Sequence, residues 1–312
     1  MSDFLFRLFL LRLEMGIHQL WKLLKEVNEG ADHQLPLSEF KGKVVVVDVS
    51  IWLIEFLKGT RNRDLISSWF NGIPARSLRP LLKQHFDMRL KPFRENEITI
   101  QLVLDGSRNP LKKETNEARI ERSRDAGEQF KKFLSDDSVY EEVELLHILH
   151  EMAQPRVDIY SDLLHWAKRN GVTITAAPIE SDWQLSFASF SRDADLVISK
   201  DGDVFACGAV LQATEIDWSK NDPIMTVWSQ EKHMPPLLER FGIDKRSKQC
   251  LLDLFSLFIF MGCDYLPNVT GVGAKTLSSE GYFSRWLVAN KAEKEAILKS
   301  IEDEGMGLCF AS

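Results

Sequence analysis

A run of four valines, Val44 to Val47, follows Gly42 and is closed by Asp48. β-Branched side chains are stiff and pack well on a pleated surface. A segment apolar at every position, rather than at alternate ones, leaves no face for water. It is therefore expected to be a parallel strand covered on both sides, with an acidic residue at its C-terminal edge. Further strands are expected: Ile98 to Leu104, closed by Asp105-Gly106; Val172 to Ala176, leading to Glu180 and Asp182; and Leu196 to Ser199, which stops just before Asp201 and Asp203. Helical stretches alternate with these strands. Ile17, Leu20, Trp21, Leu23 and Leu24 recur at helical spacing, Ile51 to Leu57 should pack back on the first strand, and Ile159 to Asn170 is amphipathic. Leu251 to Met261 is long and uniformly apolar, which favours a buried helix. The alternation predicts an α/β fold with a central, mainly parallel sheet flanked by helices.

Seven acids, Asp48, Asp105, Glu180, Asp182, Asp201, Asp203 and Asp264, mostly follow such buried stretches. In open parallel sheets, sites form beyond the carboxyl ends of the strands, and hard oxygen donors converging there suit divalent cations and phosphodiester chemistry. Taken singly the residues have plainer readings. Asp48 suits the N-cap of the following helix, and Asp105-Gly106 suits a turn. The pairs Glu180/Asp182 and Asp201/Asp203 are more telling, because acids one residue apart on extended backbone repel unless a cation lies between them. A haloacid-type phosphatase would need a second Asp where Ser50 stands. Seven residues beyond Asp264, Gly271-Val272-Gly273-Ala274-Lys275-Thr276 offers backbone amides and a charge to a phosphate, or a simple turn.

The chain of 312 residues carries 46 acidic and 39 basic residues, and the seven carboxylates account for the whole net charge of −7. Bound cations would cancel that deficit, which removes the electrostatic objection to a nucleic-acid partner. Four cysteines show no CxxC pairing and no histidine at zinc spacing, so neither a disulfide framework nor a zinc site is expected, and a reducing compartment follows. No run of eighteen apolar residues suggests a membrane span.

Five ordered motifs carry a resemblance. MGIHQLWKLL at residues 15–24, VVVDVSIWLIEFLKG at 45–59, VLDG at 103–106, the ESD and KDGD clusters at 180–182 and 200–203, and GCDYLPNVTGVGAKT at 262–276 resemble the flap endonuclease/XPG family of structure-specific 5′ nucleases. Residues 45–59 look most XPG-like; KDGD and GCDYLP look most like the GEN-type junction-resolvase branch. The resemblance implies a PIN-like 5′ nuclease fold with a helical arch and a helix-two-turn-helix DNA-binding element. It divides the chain into an extension (1–14), an N-terminal nuclease region (15–119), a charged arch (120–158), an internal nuclease region (159–277) and a divergent tail (278–312). All seven carboxylates match the family's metal-site acids, implying two-metal hydrolysis with Mg²⁺, which Mn²⁺ can replace. Lys112 and Arg119 match the basic residues at the base of the arch, which steer the scissile phosphate; without the resemblance they read as helix-surface charge. Gly271, Gly273, Lys275 and Thr276 match the duplex-gripping element, often with a bound K⁺. The implied partner is branched or flapped DNA, and the implied location nuclear, in repair or recombination.

Departures from the family pattern shape the expectation. Asp182 stands where the family usually has Glu, one methylene longer, and Lys200 where the branch often has an acid or Asn. The acidic stretch from Asp136 to Glu151 replaces a basic arch and argues against threading of a single-stranded flap. The same departures support an alternative, a catalytically weak or inactive junction-binding protein of the same fold. Residues 1–14 are expected to precede a functional start at Met15 or Gly16, with mitochondrial targeting as the other reading. Trp52 is expected in the core rather than stacked on a base. No sliding-clamp motif supports a clamp partner, and the oligomeric state is not legible.

Overall fold

The four valines form a strand with no exposed face. In the computed structural model, which describes residues 17, 20–29, 33–58, 78–107, 112–135, 157–247, 250–262, 282–289 and 293, they belong to a seven-stranded sheet. Its strands are β1 (His33–Pro36), β2 (Val44–Asp48), β3 (Thr99–Leu104), β4 (Thr173–Ala176), β5 (Leu196–Ile198), β6 (Leu211–Asp217) and β7 (Ile224–Ser229), in the order β1-β7-β6-β5-β2-β3-β4. The pairs β3–β4, β2–β3, β2–β5 and β5–β6 are parallel; β6–β7 and β1–β7 are antiparallel. The sheet is thus mainly parallel, as expected, with a hairpin and a short edge strand added on one side.

Helices cover both faces. The described ones are α1 (Leu20–Val27), α2 (Val49–Lys58), α3 (Arg79–Glu95), α4 (Lys113–Ser135), α5 (Val157–Asn170), α6 (Ser181–Phe190), α7 (Gly202–Ala206), α8 (Gln230–Arg240), α9 (Cys250–Met261) and α10 (Tyr282–Val288). On one face Val45 and Val47 pack with Leu102, Leu104, Ile198 and aromatic residues of α2 and α3, among them Trp52, Phe86 and Phe93. On the other, Val46 packs with Val103, Val197, Leu185 of α6 and Val204 of α7. Successive valines serve opposite cores, which is why the run cannot alternate with polar residues. A separate cluster joins α1 to α8, α9 and α10 through Leu20, Leu24, Leu237, Phe258 and Phe283.

Trp52 is 1% exposed and its ring lies about 6 Å from those of Phe86, Phe93 and Trp218, so it is a core residue. Several described elements had no counterpart in the sequence reading: the strands β1, β6 and β7 of the antiparallel side, and the helices α3, α6, α7 and α8. For α3 the signal was present, since Leu82, Phe86, Leu90 and Phe93 recur at helical spacing and are buried. The charged segment beginning at residue 112 is helical to Ser135, yet Ala126 and Phe130 are buried, so this helix is not all surface. Most of the proposed arch beyond it, and the Gly271–Thr276 turn, lie outside the described residues. Among the described residues no helix is long and apolar enough to cross a membrane.

Candidate active site

Because β2, β3, β4 and β5 run parallel and in register, their C-terminal ends fall on one edge. Val47 of β2 pairs with Leu102 of β3 and Ile198 of β5, and Val103 pairs with Thr175 of β4. Six of the seven sequence-selected acids, all but Asp264, are delivered to that edge. Asp264 lies outside the described residues, as do Gly271, Gly273, Lys275 and Thr276.

Asp48 ends β2 and caps α2. Its Oδ1 accepts the Ser50 N–H at 3.0 Å, while Oδ2 accepts the Ser199 hydroxyl at 3.4 Å. The capping reading and the site reading are therefore both met, one oxygen for each. Asp105 follows β3, and its Oδ1 accepts both the Ser181 N–H at 2.9 Å and the Ser181 hydroxyl at 2.8 Å. Gly106 is there because nothing larger fits: a Cβ would lie 1.8 Å from the Ala177 carbonyl oxygen. That close approach lets the Gly106 N–H donate to Ile179 O at 2.7 Å, tying the loop after β3 to the segment that delivers Glu180.

The two acidic pairs sit at helix N-termini: the first acid of each is on extended backbone, as the sequence reading had it, and the second is already helical. Glu180 occupies the N-cap of α6 with Asp182 in its first turn; Asp201 occupies the N-cap of α7 with Asp203 in its first turn. An N-cap residue and the residue two beyond it both lie near the positive end of the helix dipole, which eases the repulsion between them. Asp201 Oδ1 accepts the Asp203 N–H at 2.9 Å, and Asp203 Oδ1 accepts the Ile17 N–H at 2.8 Å. Gly202 between them packs on Leu20, whose Cδ2 would stand 3.2 Å from an added Cβ. Oxygens of Asp182, Asp201 and Asp203 lie within 4.8 Å of one another, a group able to hold a cation.

Electrostatics mark the same place. Burial, then the charges of Asp105 and Asp201, push the Asp48 carboxyl up to about 7 from an ordinary 3.8. Burial and Asp201 also hold Asp182 well above the usual carboxylate range, against the opposing pull of Lys112. The Tyr160 hydroxyl is pushed up to about 12 by burial and by the charges of Asp105 and Asp48. Each shift has the causes expected of carboxylates crowded out of water without enough positive charge.

Lys112 is buried, and its Nζ lies 2.8 Å from Glu180 Oε1. It is not a helix-surface charge. Arg119 is half-buried, two turns along α4. The sequence reading missed the groups that orient the acids: Ser181, Ser199 and the Ile17 N–H. Two of them, Ser181 and Ser199, sit inside or beside the ESD and KDGD clusters, so their place in those motifs was the available signal.

Residues 15–126 match the XPG N-terminal domain. The chain is 27% identical over 276 residues to flap endonuclease 1 of Leishmania major, covering 83% of this chain and 62% of that protein. It is 26% identical over 278 residues to flap endonuclease 1 of Methanocaldococcus jannaschii, covering 86% and 74%. The chain thus spans about 62% of the length of the trypanosomatid enzymes it matches. In fold it is similar to the catalytic core of Rad2 in complex with DNA substrate, with a TM-score of 0.58 at 21% identity, covering 93% of this chain and 81% of that one. It is also similar to human GEN1 in complex with Holliday junction DNA, with a TM-score of 0.53 at 19% identity, covering 95% and 64%. The carboxylate edge, the 5′ nuclease fold and the matched N-terminal domain agree, and the chain is similar to members of the flap endonuclease/XPG family.

Proposed function

We propose that this protein is a Mg²⁺-dependent, structure-specific DNA endonuclease that cuts flapped, bubbled or four-way branched DNA in nuclear repair or recombination. The observation that carries the reading is the convergence of Asp48, Asp105, Glu180, Asp182, Asp201 and Asp203 on one sheet edge, with Asp48 pushed up to about 7 by burial and like charge. Such a set fits a divalent cation: the donors are hard oxygens, and their mutual repulsion is what a cation relieves. Asp182, Asp201 and Asp203 support one cation through their close oxygens. Asp48, Asp105 and Glu180, together with Asp264, would complete a two-ion site, in which Mn²⁺ could replace Mg²⁺. Bound there, the ions supply Lewis acidity to the scissile phosphate and acidify the attacking water.

The chain's own groups do the remaining work. Ser181 and Ser199 fix the rotamers of Asp105 and Asp48, so the acids are held before substrate arrives. Lys112, buried against Glu180, brings positive charge to the cluster and, with Arg119, offsets charge that builds on the phosphate. Gly271, Gly273, Lys275 and Thr276 would grip the duplex backbone, with K⁺ between. Asp182 favours catalysis over mere junction binding, since even one methylene short of the family's Glu its oxygen stays within 4.8 Å of those of Asp201 and Asp203.

The test incubates purified protein with labelled 5′ flap, bubble and four-way junction DNA, with Mg²⁺ or with EDTA, beside an Asp201→Asn control. Cutting that needs Mg²⁺ and is lost in the control is expected. Binding without Mg²⁺-dependent cutting of any of the three would leave the non-catalytic reading instead.

A further inference from the structure

We infer that Gln212 is a positioning residue for the cation site, holding the turn that carries Asp201 and Asp203. The inference rests on the reading of those two acids as cation ligands. Strand β5 ends at Ile198, and its ladder with β6 closes with the Ser199 N–H donating to Ala213 O at 3.0 Å. Beyond that point the carbonyls of Ser199 and Asp201 have no strand to accept from. The Gln212 side chain takes the place of the missing ladder: its Nε2 lies 2.8 Å from Ser199 O and 2.8 Å from Asp201 O. A primary amide has two N–H donors, and both are used, one on each side of Lys200.

The choice of residue is the informative part. Gln212 is fully buried on a strand, between Leu211 and Ala213, where an apolar side chain would suit the packing. Its Oε1 is buried and has no hydrogen-bond partner among the described residues. A glutamine kept at such a position, with one polar atom left unmatched, is explained by what its other end holds. The same turn is held on its other flanks by bonds that would not by themselves fix the two carbonyls. Asp201 N donates to the Ser199 hydroxyl at 3.2 Å, and the Trp21 indole N–H donates to Lys200 O at 2.9 Å. Through Ser199, whose hydroxyl also reaches Asp48, the Gln212 clamp links the acids of β2 and β5. Groups that orient ligating carboxylates in this way tune metal affinity by about 10- to 100-fold.

Gln212→Met and Gln212→Leu keep much of the volume and remove both donors. Three readouts are compared with wild type in the full chain: Mn²⁺ binding to DNA-free protein, followed by the paramagnetic resonance of free Mn²⁺; the Mg²⁺ concentration for half-maximal flap cleavage; and the thermal midpoint without metal. The expected result is a midpoint at or above that of wild type, Mn²⁺ binding weakened about ten-fold or more, and a Mg²⁺ requirement raised in step, with most of the cleavage rate regained at saturating Mg²⁺. If the apolar variants do not fold, Gln212→Asn, still polar but too short to span both carbonyls, is expected to show the same weakening. Mn²⁺ affinity within about two-fold of wild type in a folded variant would overturn the inference alone. A wild-type protein that neither binds Mn²⁺ nor cleaves would overturn the reading beneath it and the inference together.

Discussion

Glu180/Asp182 and Asp201/Asp203 share a spacing, a helix N-terminus and a sheet edge, yet they are stabilised by opposite means. The first pair has a cation of its own, with Lys112 Nζ 2.8 Å from Glu180 and both side chains about a tenth exposed. The second is held by backbone and amide donors: Asp203 N–H on Asp201, Ile17 N–H on Asp203, and Gln212 on the carbonyls around them. Glu180 is ion-paired within the fold, whereas Asp201 and Asp203 are organised by hydrogen-bond donors to their side chains and to the turn that carries them. The lesson is that an acid-x-acid motif has no fixed electrostatic character. What packs against the helix cap decides which partners each acid meets.

The comparison breaks most sharply at Asp201. Asp201→Asn keeps a good N-cap but removes the charge. Cleavage of a labelled flap is expected to fall about 1000-fold, while urea melts of the metal-free protein at pH 8 show no loss of stability, because Asp48 and Asp182 lose a repelling neighbour. Glu180→Ala should do the reverse in the absence of metal. It removes the carboxylate that buried Lys112 pairs with, and denaturation should report a loss of about 3 kcal/mol, part of which Lys112→Met returns in the double variant.

A pH series sharpens the contrast next. Asp48 has a folded-state pKa of about 7 against an ordinary 3.8, so the folded protein holds this proton more tightly than the unfolded chain does. That contribution to stability is complete below about pH 4 and is lost as pH rises through 7. The thermal midpoint of metal-free protein is expected to fall across this range, with a shallower fall in Asp48→Asn and in saturating Mg²⁺. An equal slope in all three would show that Asp48 does not govern this limb. The smallest effect belongs to Lys200. Its Nζ pairs with Glu55 at 2.9 Å, but the lysine side chain is 55% exposed, and its contact with Trp21 in the turn is made by its backbone carbonyl, which the substitution keeps. Lys200→Ala should change stability by less than about 1 kcal/mol in the same melts.

How much was legible follows from which forces are local. Val44 to Val47 announced a doubly covered strand because burial on both faces demands an unbroken apolar run, and β3 and β5 followed with the acids beyond them; β4 was found too, but it is an edge strand with Thr173, Thr175 and Ala176 exposed, not a covered one. The antiparallel side was not legible. β1 is a four-residue edge strand whose first two residues are exposed, and β6 mixes Gln212, Thr214 and Glu215 into its apolar positions; neither carries a pattern strong enough to stand without its partner. Within the site, the acids could be named from their motifs, whereas their helix-cap geometry could not, since an acid-x-acid string suits an extended loop and a first helical turn equally well.

By itself, then, the sequence determined a parallel α/β sheet, the carboxylates gathered at its C-terminal edge and the family they point to, because strand burial and motif order are written along the chain. Tertiary structure alone decided which groups each acid meets. Lys112 meets Glu180 across 68 residues, Ile17 meets Asp203 across 186, and Gln212 reaches back over the end of β5. Those contacts depend on how helices and strands from distant parts of the chain pack side by side, and no local spacing encodes them.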